Sequence, residues 1–134
     1  TAYDCVVCAA MDARCNQVYV ALFRVNGGKV ERLTEEECLK TDEAARMLSE
    51  YDDNIMLVGD GAFIMKKATD NEGLENVKIA PDPLRYQTGY GVCLAAVNAP
   101  QLTPEQLMPM YLKLPQAQRE LMAKNAEAYK ERKE

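Results

Sequence analysis

Two apolar runs only six residues apart constrain this chain more than any other feature. Residues 6–11 are continuously apolar or small, and Val18-Tyr19-Val20-Ala21-Leu22-Phe23 is rich in the β-branched and aromatic residues that suit a pleated strand. So short a connection makes the two strands neighbours. Asn26-Gly27-Gly28 then supplies the positive φ angles of a tight turn, and residues 29–33 follow as a third, more polar and edge-like strand. The first third therefore predicts a three-stranded meander.

Alternation of helices and strands comes next. Thr41 is a candidate N-cap, with Asp42 and Glu43 favourably placed against the positive end of a helix dipole. Ala44, Met47, Leu48 and Tyr51 recur at helical spacing and mark one core-facing stripe. Ile55-Met56-Leu57-Val58 is bounded by Asp52-Asp53-Asn54 and Gly59-Asp60-Gly61, the pattern of a strand covered on both faces, and is expected at the sheet centre. Residues 62–68 predict a short helix, and residues 77–80 a last strand stopped by Pro81 and Pro83. Tyr90, Leu94 and Val97 recur with helical spacing until Pro100. The resulting order, βββαβαβα, implies an α/β domain with a mixed sheet and helices on both faces, the order of a ribonuclease H-like lobe.

The last third changes character. Thr103-Pro104-Glu105-Gln106 is a capping box with proline at the first helical position, opening a short helical turn. From residue 114 to 134 the chain is rich in Gln, Ala, Glu, Lys and Arg with few apolar anchors, which predicts a solvent-lying helical tail after a domain spanning residues 1–113.

Several function classes are excluded or disfavoured. There is no histidine, so neither a Ser-His-Asp triad, nor Cys-His catalysis, nor a histidine-based zinc site can be built. A net charge of -5 makes the surface repulsive on average to the phosphate backbone of RNA or DNA, so direct nucleic-acid binding by the chain alone is not expected. No run approaches the roughly 18 apolar residues of a membrane span. The five cysteines, Cys5, Cys8, Cys15, Cys38 and Cys93, are odd in number and scattered among apolar neighbours, which fits reduced thiols in the cytosol. The expectation is a soluble, cytoplasmic chain. Because it opens Thr1-Ala2-Tyr3-Asp4 without methionine, a cut within a longer protein is also expected.

Three segments carry a resemblance. Ala9-Ala10-Met11-Asp12-Ala13-Arg14, followed by Gln17-Val18-Tyr19-Val20-Ala21, resembles the Asp-Ala-Arg hairpin and Val-Tyr strand of the TsaB (YeaZ) family. Leu57-Val58-Gly59-Asp60-Gly61 resembles that family's strand and Gly-x-Gly loop, and Pro109-Met110-Tyr111-Leu112-Lys113 its closing Pro-x-Tyr-Leu-Arg segment. Asp12, Arg14, Tyr19, Tyr111 and Lys113 are the motif positions. Lys113 stands where arginine is commoner, which removes a planar fork for a bidentate contact.

The resemblance implies an actin-like architecture of two similar lobes, of which this chain is the second. The first lobe's Asp-Thr opening and Pro-Gly-Ser-Phe-Thr-Gly motif do not occur here. It also implies a non-catalytic scaffold for the paralogue that transfers a threonylcarbamoyl group to tRNA adenosine. Its partners are then a TsaD-type catalytic subunit and a TsaE-type ATPase, with homodimerisation through the first lobe. ATP and magnesium belong to the complete complex, and no cofactor or metal is expected in this chain. The glycoprotease label attached to such families finds no supported nucleophile and base here.

Individual sites keep alternative readings. On a strand Cys5 and Cys8 point to opposite faces, which favours buried thiols over a metal site with Cys15. Asp12 and Arg14 either pair to hold a turn or face a partner. Gly59-Asp60-Gly61 is a tight turn or half of a phosphate site at a helix N-terminus, the latter belonging to the alternative of an ATP-binding actin-like domain. The acidic run Glu35-Glu36-Glu37 is a solvated face or a set of carboxylate ligands. Met108 and Met110 either fill a core or form an adaptable docking surface.

Overall fold

The computed structural model describes residues 4–97, 99–115, 118 and 121–122. β1 (Cys5–Arg14) and β2 (Gln17–Asn26) form a long antiparallel hairpin, with Ala10 opposite Val20 and Cys8 opposite Leu22. β1 lies at the middle of the sheet order β3-β2-β1-β5-β6, in which β5 (Ile55–Val58) runs parallel to β1 and β6 (Val77–Ile79) parallel to β5. The expected central strand, residues 55–58, is thus one place off centre, and the hairpin strand that begins the chain holds the middle.

The third meander strand is broken in two. β3 (Lys29–Arg32) pairs with the second half of β2 and β4 (Glu37–Lys40) with the first half, both antiparallel. At the break, Thr34 Oγ1 accepts the Leu22 N–H at 2.9 Å, in place of a carbonyl of the missing strand. Leu33 N–H donates back to the Leu22 carbonyl at 2.8 Å, and Arg32 pairs with Glu36 at 2.7 Å across the interruption. β4 has no strand signature of its own. It is a strand because β2 offers it a free edge, and Glu37 of the acidic run is its first residue.

α1 (Thr41–Leu48) starts one residue earlier than a Thr41 cap requires: Thr41 is the first helical residue, and the Glu43 carboxylate accepts the Lys40 N–H at 3.2 Å. α2 (Ala62–Asn71) buries Ala62, Met65, Ala68 and Thr69, and packs on α1 as well as on β1, β5 and β6. Both helices therefore share one face of the sheet, over Val6, Cys8, Ala10, Val18, Val20, Leu22, Ile55 and Leu57. Removing Leu22, Leu48, Ile55, Leu57 or Met65 from water stabilises the fold by about 1.5–3 kcal/mol each, which makes this face the stability centre.

Helices on both faces were expected. Among the described residues the opposite face carries no packed long helix. The one-turn α3 (Asp82–Arg85), unforeseen because Pro81 and Pro83 read as a stop, borders it together with residues 110–113. α4 (Gly89–Val97) forms where Tyr90, Leu94 and Val97 predict it, but it buries none of its residues. The expected turn at Thr103 is present: Gln106 Oε1 accepts the Thr103 N–H at 3.0 Å, and Gln106 N–H returns to the Thr103 carbonyl. Most of the expected tail helix, residues 116–117, 119–120 and 123–134, lies outside the described residues. No helix among the described residues is long and apolar enough to cross a membrane.

Candidate functional site

β5 ends at Val58, opposite Ala9, while its parallel neighbour β1 runs on to Arg14, and open α/β sheets place their sites beyond the carboxyl ends of such strands. Here three segments distant in sequence converge: the end of β1 at residues 12–14, the loop Gly59-Asp60-Gly61, and residues 110–113.

The β1–β2 turn is made by Arg14, Cys15 and Asn16, all with positive φ (63°, 54° and 56°), a conformation that a side chain normally disfavours. Asp12 stabilises it. Its Oδ1 accepts the Arg14 N–H at 2.7 Å and its Oδ2 lies 3.3 Å from Arg14 Nη1, across a register shift between the two residues. The pair therefore holds a bulged turn, not a straight strand. Arg14 itself points into solvent, with 85% of its side chain exposed, so the guanidinium remains open to an outside partner.

The glycine loop is fitted against the β1 backbone. At Gly59, with φ +95°, an added Cβ would lie 2.0 Å from the Ala10 carbonyl oxygen, and at Gly61 about 3.1 Å from the same carbonyl. Gly61 N–H donates to the Ala10 carbonyl at 3.0 Å, Gly59 N–H to the Arg85 carbonyl at 2.7 Å, and Ala62 N–H to the Gly59 carbonyl at 3.3 Å. Asp60 Oδ1 accepts the Asp12 N–H at 3.1 Å, joining the loop to the hairpin. Three amides that a phosphate would need are engaged inside the protein, and the loop presents a carboxylate.

Lys113 completes the cluster: its ammonium donates to the Ala13 carbonyl at 2.9 Å, across 100 residues of sequence. A single ammonium suffices for one carbonyl, so the lysine at this position meets the contact it makes without a planar fork. Tyr19, half-buried, lies opposite Met11 on β1 and Cys38 on β4, whereas Tyr111 is 83% exposed. Both border a groove of about 1010 Å³ on the second face of the sheet, floored by Ala9, Met11, Ala21 and Val58.

Arg85 is a residue that the sequence gives little reason to select. It is 9% exposed, its guanidinium carbon lies 4.6 Å from the Phe63 ring centroid and 4.8 Å from that of Tyr86, and it pairs with Asp82 at 2.8 Å. Among the described residues its Nε has no hydrogen-bond partner. Only the i,i+3 spacing of Asp82 and Arg85 hints at the contact. It anchors α3 against α2 and so fixes the carbonyl that Gly59 needs.

The thiols divide by environment. Burial pushes Cys8 up to about 12, and burial with the nearby Asp4 carboxylate raises Cys5, so neither is a ready nucleophile. Cys15, in the hairpin turn, and Cys93, on α4, are exposed, and Cys38 is half-buried. Among the described residues no three His, Cys, Asp or Glu side chains are gathered closely enough to hold a metal.

The sequence matches no protein-family model and no curated protein. The fold is similar to a crystal structure of an uncharacterized protein with similarity to peptidase YeaZ from Pseudomonas aeruginosa, with a TM-score of 0.54 and 18% identity over 81% of this chain. The chain spans about half of that protein, covering 49% of its length. The fold is accordingly that of a YeaZ-like α/β lobe with a mixed sheet.

Proposed function

We infer that this chain acts as the second lobe of a TsaB (YeaZ)-type scaffold subunit, supporting a TsaD-type catalytic paralogue and a TsaE-type ATPase in threonylcarbamoyl modification of tRNA adenosine in the cytoplasm. The observation that carries this reading is the convergence of the three resembling segments. The Asp12-Ala13-Arg14 hairpin, the Gly59-Asp60-Gly61 loop and the segment ending at Lys113 meet at one end of the sheet through Asp12 with Asp60 and Lys113 with Ala13. Segments related only by chance would have no reason to form one hydrogen-bonded cluster.

The absence of histidine and the raised thiols support a subunit that does no chemistry itself. Arg14 is the group offered to a partner, because its backbone is held by Asp12 while its guanidinium stays solvated. The test is isothermal titration of the chain into the TsaD-type subunit, alongside an assay of threonylcarbamoyl transfer by each component alone. Expected are saturable binding, a weakening of about tenfold in Arg14→Ala, as for loss of a hydrogen bond to a charged group, and no turnover by the chain. Turnover by the chain alone, or no binding at 100-fold excess over a micromolar subunit, would sink the proposal.

A further inference from the structure

The turn between β2 and β3 holds a chemically labile pair. Asparagine is among the thermolabile residues, and of the seven in this chain Asn26 alone is followed by glycine. That neighbour matters because the glycine amide nitrogen, unshielded by a Cβ, can close on the asparagine side-chain carbonyl. Gly27 and Gly28 have φ of +55° and +79° and form a two-residue hairpin loop. Asn26 is exposed, and a Cβ at either glycine would meet nothing within 4 Å among the described residues, so water reaches the pair freely.

The reaction open to this pair needs only water. The Gly27 nitrogen, having lost its proton to solvent hydroxide, attacks Asn26 Cγ. The new N–Cγ bond closes a succinimide ring, the Cγ–Nδ2 bond breaks, and the leaving nitrogen takes a proton from water and departs as ammonia. A second water then opens the ring at either carbonyl, which leaves aspartate or isoaspartate in the place of the asparagine. Nothing is oxidised or reduced. Two contacts oppose the first step. Asn26 ends β2 paired with Lys29, and ring closure requires its ψ to leave the extended range. Asp4, just before β1, reaches across 23 residues of sequence, and its Oδ1 accepts the Gly27 N–H at 3.0 Å. A carboxylate on that proton stabilises the protonated nitrogen, and its charge repels the amide anion that must form.

We propose that Asn26 is a latent self-modification site, a deamidating asparagine that the Asp4 carboxylate keeps closed by holding the Gly27 amide. Withdrawal of Asp4 from the turn starts the reaction. Isoaspartate adds a methylene to the main chain of a two-residue loop, which then no longer keeps Asn26 in register with Lys29. All four residues of β3 are exposed, so the change loosens the sheet edge, including the Arg32 guanidinium 4.8 Å from the Phe23 ring centroid, and leaves the core intact.

The test is incubation of the full chain in warm, mildly alkaline buffer, read by mass spectrometry of two tryptic peptides. Residues 25–29 carry Asn26, and residues 68–78 carry Asn71 and Asn76 as internal controls. Asp4→Ala is expected to raise conversion at Asn26 about tenfold over the wild-type chain, the factor that a hydrogen bond to a charged group carries. Asp4→Asn, which keeps an acceptor oxygen without the charge, is expected between the two. Hydrogen exchange at the Gly27 amide should quicken in the same order. Asp4 is exposed, so circular dichroism should show both variants folded as the wild type is. Equal conversion at Asn26 in the wild-type chain and in Asp4→Ala would overturn Asp4 as the guard. Conversion of Asn71 or Asn76 ahead of Asn26 in Asp4→Ala would overturn the site itself.

Discussion

Substituting Gly59 by alanine separates two costs that are usually merged. Gly59, Gly73 and Gly27 all have positive φ, at +95°, +75° and +55°, but only Gly59 faces another backbone. At Gly73 and Gly27 an added Cβ meets nothing within 4 Å among the described residues, so alanine there costs only the left-handed strain, about 1–2 kcal/mol. At Gly59 the Cβ would stand 2.0 Å from the Ala10 carbonyl oxygen, so the turn after β5 must move by about 1.5 Å to reach ordinary contact. That movement breaks the Gly61-to-Ala10 bond (3.0 Å) and the Gly59-to-Arg85 bond (2.7 Å). With about 1 kcal/mol lost for each, and more where a carbonyl is left buried, Gly59→Ala should cost about 3–5 kcal/mol. A domain of this size has about 5–15 kcal/mol in all. The chain lacks tryptophan, so urea unfolding is best followed by far-ultraviolet circular dichroism. For a urea slope of about 1.5 kcal/mol per molar, the midpoint should fall by about 2–3 M in Gly59→Ala and about 1 M in Gly73→Ala. Equal midpoints in the two variants would refute the close-approach argument.

Other expectations follow from single contacts. Thr34→Val leaves the Leu22 N–H without its 2.9 Å acceptor in the core and should cost about 1–3 kcal/mol, whereas Thr34→Ser should cost less; equal losses in urea would show that the hydroxyl is not the group that matters. Asp12→Ala frees the Arg14 N–H and should cost about 1–2 kcal/mol, with faster hydrogen exchange at Arg14; an unchanged exchange rate would count against Asp12 as the turn's support. Native alkylation should label Cys15 and Cys93 and spare Cys8, and mass spectrometry of the digest would read this directly. Below pH 9.0 the Cys8 thiol is neutral folded or unfolded; between there and about 12 only the unfolded form ionises, so stability falls as pH rises. The slope is roughly 1.4 kcal/mol per pH unit, and Cys8→Ala should remove it, which unfolding midpoints against pH would show.

Much of this architecture is legible in residue order because hydrophobic period and turn chemistry are local. The runs at residues 6–11, 18–23 and 55–58, the stripe Ala44, Met47 and Leu48, and Asn26-Gly27-Gly28 each identify an element without reference to the rest. β4 was not legible, since Glu37-Cys38-Leu39-Lys40 becomes a strand only by completing the edge of β2. α3 was obscured by Pro83, which ends a strand in one context and sits in the first turn of a helix in another. The placement of both packed helices on one face depends on connections, which no periodicity records.

The candidate site divides in the same way. Asp12, Arg14, Gly59, Asp60, Gly61, Tyr19, Tyr111 and Lys113 were nameable from motif order alone. Their roles were not. That Asp12 holds a left-handed turn, that the glycines yield to the Ala10 carbonyl, and that Lys113 spans 100 residues to Ala13 follow from packing between distant segments. The sequence by itself determined the fold class, the hairpin and the absence of imidazole chemistry, because period, turn residues and composition act locally or globally without geometry. Only the tertiary structure decided the middle strand, the engagement of the glycine-loop amides, the groove and the bare face of α4, because each depends on which surfaces meet after the chain has closed on itself.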